Sequence, residues 1–185
     1  MNNKATSKDE ILKNSRILMQ QQGWSGVSIR AVAKSCGVSV GAIYNYFNSK
    51  ADLMGATVES IWHEIFHLPQ NAGVFENTQT YVAWLYRQME YGSSQYPGFF
   101  TLHALVFLQE EKVDGKRKME QTWQHIMAGL CAVLKNDPSI RSSVFDSKFT
   151  TETFADVLFS LILSAFLRQE YDPAPVLEVI QRVLY

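Results

Sequence analysis

Apolar positions along this chain recur at three- and four-residue spacing, and no run alternates with period two, so the pattern predicts helices throughout. Residues 8–22 put Ile11, Ser15, Leu18 and Met19 on one face and stop at Gly23. Ser28 is placed to cap a short helix over 29–35 that turns Ile29, Val32, Ala33 and Cys36 inward. Gly37 supplies a left-handed turn, Ser39 caps a second short helix near 40–45, and Ser49 caps a third that starts at Lys50 and runs to about residue 67. Further helices are expected over 76–95, 98–111 and 116–135, bounded by Pro69, Pro97 and Asn136-Asp137-Pro138. Residues 153–167 are apolar nearly all the way round, which marks a helix covered on both sides. Asp172 caps a last helix, with Pro173 in its first turn and a stripe of Val176, Val179, Ile180, Val183 and Leu184. The expectation is an all-α fold of about nine helices.

The most informative stretch is residues 28–53, SIRAVAKSCGVSVGAIYNYFNSKADL. Two short helices joined by a tight glycine turn form a helix-turn-helix, and the second helix of that motif enters a DNA major groove. From Ile11 to Leu53 the chain resembles the N-terminal domain of the TetR family of bacterial transcriptional regulators. The residues that carry the resemblance are Gly23-Trp24, Val27-Ser28-Ile29, Ala31-Val32-Ala33, Gly37-Val38-Ser39, Gly41-Ala42-Ile43-Tyr44, Tyr46-Phe47 and Ser49-Lys50-Ala51-Asp52-Leu53. Cys36 departs from the small residue usual at its position, and Asn14-Ser15 replaces a common alanine pair. The resemblance implies a helix-turn-helix DNA-binding domain over residues 1–49 and a helical ligand-binding and dimerisation domain over residues 50–185.

Charge distribution supports that division. The chain has 185 residues, 46% hydrophobic, and a formal net charge of −1. Residues 1–50 carry seven Lys/Arg against Asp9 and Glu10, a net +5, so the remainder sums to −6. A basic head on an acidic body concentrates phosphate affinity at the N-terminal end. There is no apolar run long enough for a membrane span and no secretory leader pattern, and Cys36 and Cys131 suit a reducing compartment, so a cytoplasmic protein with no membrane partner is expected.

The candidate DNA contacts are Ser28, Arg30, Ser39, Val40, Gly41, Tyr44, Tyr46 and Lys50. Ser28 and Ser39 begin the two helices whose amides would face phosphate, and Lys50 adds a point charge. Tyr44 and Tyr46 stand where the family clamps phosphates with aromatics, whereas Phe47 belongs to the core. Arg30 is suited to a bidentate contact with guanine. Val40, Gly41 and Ala42 offer small apolar groups for thymine methyls and close backbone approach. The resemblance implies a homodimer on a palindromic double-stranded operator, paired through a bundle of the last two helices. Its interface residues would be Phe154, Leu158, Leu161, Ile162, Ala165, Val176, Val179, Ile180 and Val183; a centrally buried helix in a monomer is the alternative.

A repressor of this kind is released when a small-molecule effector enters its C-terminal domain and moves the fourth helix. Candidate lining residues are Trp62, Phe66, Trp84, Met89 and Phe100, with His103, Phe107, Trp123 and Met127, although aromatic and methionine stripes at helical spacing belong more often to a plain core. One pattern points elsewhere. His63-Glu64-Ile65-Phe66-His67 satisfies H-E-x-x-H, which on a helix offers two histidines to zinc with Glu64 as general base. Three readings stay open for it: a solvated pair near a helix end, a regulatory metal site, or a zinc metalloenzyme. Lys112 and Lys116-Arg117-Lys118 read as a solvated loop. With no nucleophile elbow, phosphate-binding glycine loop or paired Cys-x-x-Cys, no enzyme and no cofactor are expected.

Overall fold

The computed structural model describes residues 6–66, 75–100 and 113–185. Among them are eight helices and no strand: α1 Lys8–Gly26, α2 Ile29–Cys36, α3 Val40–Tyr44, α4 Lys50–Phe66, α5 Thr78–Gln95, α6 Val113–Asn136, α7 Thr151–Arg168 and α8 Ala174–Leu184. Phe99 and Phe100 are helical, and the remainder of the helix expected over 98–111 lies outside the described residues. No helix among the described residues is long and apolar enough to cross a membrane.

Local chemistry sets the helix ends. Helical geometry breaks at Gly23 (φ 67°), where the sequence predicted a stop, and one more turn continues to Gly26. Expected starts at residues 76 and 153 move to Thr78 and Thr151 because polar caps lie where the apolar pattern is silent. The Asn77 side chain accepts from the Thr80 amide at 2.9 Å, and the Thr150 hydroxyl from the Thr153 amide at 3.2 Å. At α8 the N-cap position is Pro173, and the Asp172 carboxylate accepts from the Ala174 amide at 2.9 Å.

The chain packs as two compact units: Met1–Ile65 with Ser93–Lys118, and Phe66–Gly92 with Met119–Tyr185. In the first, Ile11, Val27, Val32, Ile43, Phe47 and Leu53 belong to the core, each at most 1% exposed. Asn14 and Ser15, the unusual pair in α1, both have local work. Ser15 turns its hydroxyl back to the Ile11 carbonyl at 2.9 Å inside the core, and Asn14 accepts from the Ser35 hydroxyl at 2.7 Å, tying α1 to α2. Cys36 fills buried space.

The second unit is organised around Asp137, just past the end of α6. Its carboxylate accepts from the Thr78 amide at 2.8 Å, the Thr78 hydroxyl at 3.0 Å, the Ser139 amide at 3.0 Å and the Tyr185 hydroxyl. The first residue of α5, the end of α6 and the residue after α8 thus meet on one buried group. Burial alone pushes the Asp137 carboxyl up, yet the hydrogen bonds from Tyr185, Thr78 and Ser139 outweigh it and hold the group below the usual carboxylate range. Burial and the same bond push the Tyr185 hydroxyl up to about 12. Nearby, Gly129 on α6 faces Tyr81 of α5 so closely that a Cβ there would sit 2.0 Å from the Tyr81 hydroxyl oxygen.

Two stability outcomes follow. Asp137→Ala strands the Thr78 and Ser139 donors and should lower unfolding free energy in urea by on the order of 2–3 kcal/mol. Because its folded value is depressed, the Asp137 contribution should be full above about pH 4 and fade as pH falls through the folded value, a loss the alanine variant would lack. Gly129→Ala, which in an open helix would stabilise by up to ~1 kcal/mol, should instead cost about 1–3 kcal/mol through the clash with buried Tyr81.

Candidate nucleic-acid interface

The face that reads outward is built by caps and one turn. The Ser28 hydroxyl accepts from the Ala31 amide at 3.1 Å, and the Ser39 hydroxyl from the Ala42 amide at 3.2 Å. Between them Gly37 is left-handed (φ 69°, ψ 31°), and its amide and that of Val38 return to the carbonyls of Lys34 and Ala33 at 3.2 and 3.0 Å. A side chain in that conformation is strained, so glycine fixes the reversal of direction between α2 and α3. At the start of α4, Ser49 accepts from the Asp52 amide at 3.0 Å while Asp52 accepts from the Asn48 amide at 2.9 Å, a reciprocal cap.

Within α3, Ile43 is fully buried, and Phe47 just beyond it is 1% exposed. Val40, Gly41, Tyr44 and Tyr46 consequently face outward, with Tyr44 51% exposed. Val38, beside the turn, is half-buried. Arg30 on the first turn of α2 and Lys50 at the first residue of α4 are also exposed. All the residues singled out for DNA therefore lie on α2, α3 or the corner into α4, Ser28 half-buried and the others exposed. The two cap hydroxyls spend an oxygen lone pair on the helix amide, and each O–H remains a donor. Exposed together on these elements are small apolar groups, a guanidinium, an ammonium and hydroxyl donors, side-chain types suited to a duplex.

Periodicity gave no sign of three further features. The Tyr46 hydroxyl donates to the Thr6 carbonyl at 2.6 Å. The Lys8 ammonium lies 5.8 Å from the centroid of the Phe47 ring. On α4, Glu64 pairs with Arg16 of α1 at 2.6 Å and accepts from the Tyr96 hydroxyl at 2.8 Å, while Arg16 also reaches the Ser60 hydroxyl. Both oxygens of the carboxylate proposed as a general base are thus engaged by a cation and a phenol. Among the described residues no group of three His, Cys, Asp or Glu gathers for a metal, and His67 lies outside them.

The expected pocket residues divide between the units. Trp62 and Phe100 belong to the first, with ring centroids 5.7 Å apart. Phe66, Trp84, Met89, Trp123 and Met127 belong to the second, where Trp84 stacks on Tyr81 at 5.8 Å and Trp123 meets Phe159 edge-on at 5.8 Å. His103 and Phe107 lie outside the described residues. The interface set divides too. Phe154, Leu158, Ile162, Val176 and Ile180 are buried within the chain's own unit, whereas Leu161, Ala165, Val179 and Val183 stay at least partly exposed.

Residues 11–57 match the model for bacterial regulatory proteins of the tetR family. The chain is 39% identical over 59 residues to YttP of Bacillus subtilis, named a probable HTH-type transcriptional regulator; the match covers 32% of this chain and 28% of YttP. It is 33% identical over 100 residues to the nucleoid occlusion factor SlmA of Actinobacillus pleuropneumoniae, 51% of this chain and 49% of SlmA. The matched stretches thus span half or less of these relatives. Two solved structures share the fold along nearly the whole chain. The reduced form of NemR from E. coli aligns over 96% of both chains (TM-score 0.66, 20% identity). The multidrug binding protein EbrR, complexed with imidazole, aligns over 98% of this chain and 96% of its own (TM-score 0.61, 17% identity).

On this surface, Lys50→Ala should weaken every duplex alike and reduce the log–log salt slope by about 1 per chain, while Arg30→Ala should cost about 1–3 kcal/mol at one base position and relax preference there. Titrations of matched and single-substituted duplexes at several salt concentrations separate the two.

Proposed function

We propose that this chain, whose residues 11–57 match the model for bacterial regulatory proteins of the tetR family, is a cytoplasmic repressor of that family that binds a palindromic operator as a homodimer and lets go when a small molecule occupies its C-terminal domain. In this reading residues 1–49 form the DNA-reading domain and residues 50–185 the ligand-binding and dimerisation domain. The observation that carries it is the outward face of α3. Ile43 anchors the helix in the core and Ser39, Val40, Gly41 and Tyr44 are exposed, as are Arg30 in the first turn of α2 and Lys50 at the first residue of α4; in this reading α3 enters the groove.

Dimerisation is supported by apolar side chains left at the surface of α7 and α8. Val157 is 42% and Val179 38% exposed, on the helices that also carry Leu161, Ala165 and Val183. Apolar surface concentrated on two neighbouring helices in the chain marks an interaction face. Two-fold pairing also supplies the second reading head that operator-level affinity requires. The effector reading draws on the aromatic and methionine side chains of the body and on EbrR, a multidrug binding protein that shares the fold. A metal-controlled regulator using His63 and His67 is the second reading, and treatment with a chelator separates the two because only the metal-controlled form changes its DNA affinity.

Selection of bound sites from random duplex DNA at fixed salt should enrich a palindrome whose half-sites lie about one helical turn apart. Sequence-blind, salt-suppressed binding would contradict the operator reading. Val157→Lys with Val179→Lys should weaken the dimer by roughly a hundredfold or more, on the order of 3 kcal/mol for charges buried without partners, as read by sedimentation.

A further inference from the structure

We propose that Tyr46 is a positioning residue of the DNA-binding surface. Its hydroxyl fastens the start of α1 to the corner between α3 and α4, so that Lys8 meets the phosphate backbone from a fixed place. The inference rests on the DNA-binding reading above and changes the role of one residue within it, from phosphate ligand to tether.

A tyrosine hydroxyl has one proton to donate. In Tyr46 that proton goes to the Thr6 carbonyl at 2.6 Å, joining positions forty residues apart in sequence. A phosphate oxygen accepts and does not donate, so Tyr46 cannot serve it without releasing Thr6. Tyr44, more exposed and on the helix itself, has no such engagement to give up in the described contacts.

The tether acts on the residue that matters for charge. Thr6 lies just before the α1 cap, where the Ser7 hydroxyl accepts from the Glu10 amide at 3.1 Å and the Thr6 hydroxyl donates to the Glu10 carboxylate at 3.3 Å. Lys8 is the first residue of α1. Holding the Thr6 carbonyl therefore sets where α1 begins and where the Lys8 backbone stands. The neighbouring residue completes the grip: the Lys8 ammonium lies over the Phe47 ring, 5.8 Å from its centroid, and that ring is itself immobile in the core. Consecutive residues 46 and 47 thus hold neighbouring parts of the start of α1, one by a hydrogen bond and one by a ring face. Helix ends fray unless held, and a lysine held near its target loses less freedom on contact than one on a loose arm. The corner so assembled also carries Lys50 at the head of α4.

The test uses the full chain, a labelled random-sequence duplex and the variants Lys8→Gln, Tyr46→Phe and both together. Lys8→Gln should lower affinity by about threefold or more near physiological salt and reduce the log–log salt slope by about 1 per chain. Tyr46→Phe should lose a similar factor, and the double variant no more than Lys8→Gln alone. Without DNA, Tyr46→Phe should speed amide exchange at Ile11, whose amide makes the first helical bond to Ser7. Losses that multiply in the double variant would overturn the inference, because Tyr46 would then hold phosphate itself. An unchanged salt slope in Lys8→Gln, or unchanged exchange in Tyr46→Phe, would overturn it as well. If the wild-type chain binds no duplex, the DNA-binding reading itself falls, an outcome distinct from multiplicative losses in a protein that binds.

Discussion

A five-residue helix has no stability of its own, and α3 keeps its place only because its inner side is locked into a core it did little to build. Ile43 and Phe47 are buried, so α3 cannot roll about its axis without exposing them. Once they are fixed, a 3.6-residue repeat leaves Val40, Gly41 and Tyr44 on the far side. Gly37 then determines the direction from which α3 leaves α2, and the Ser39 cap where it starts. The reading surface is a consequence of packing behind it.

Much of this arrangement was legible in the sequence because it is local. A serine three residues before the amide it caps, or a glycine after a short apolar stripe, carries its geometry within a few positions. Ser28, Ser39, Ser49 and Gly37 all act where their spacing placed them. Partners distant in the chain were not legible. Asn14 looked like a simple departure from alanine, yet it meets Ser35. Asp137 looked like part of a helix stop and proves to gather Thr78, Ser139 and Tyr185. Periodicity tells which face of a helix is apolar but not which groups oppose it.

The same limit explains residues 153–167. A stripe that runs nearly all round cannot say which half packs on the chain's own body. The structure supplies the division, with Phe154, Leu158 and Ile162 inward and Val157 outward. H-E-x-x-H shows the converse, a local pattern whose glutamate is engaged by partners the pattern does not contain. Glu64 satisfies the spacing of a catalytic base, but Arg16 and Tyr96 take its two oxygens and make it a bridge between α1, α4 and the residue after α5. Its engagement within the N-terminal unit gives the charge a structural purpose.

The most direct test of the whole account is a map of amide hydrogen exchange with and without a bound duplex. Protection should concentrate in residues 28–50, strongest around the start of α2, the turn at Gly37 and α3, with the interior of α1 unchanged. Protection centred on α6, α7 or α8 while these residues exchange freely would show that DNA is held elsewhere, and would contradict the assignment of the reading surface to α3.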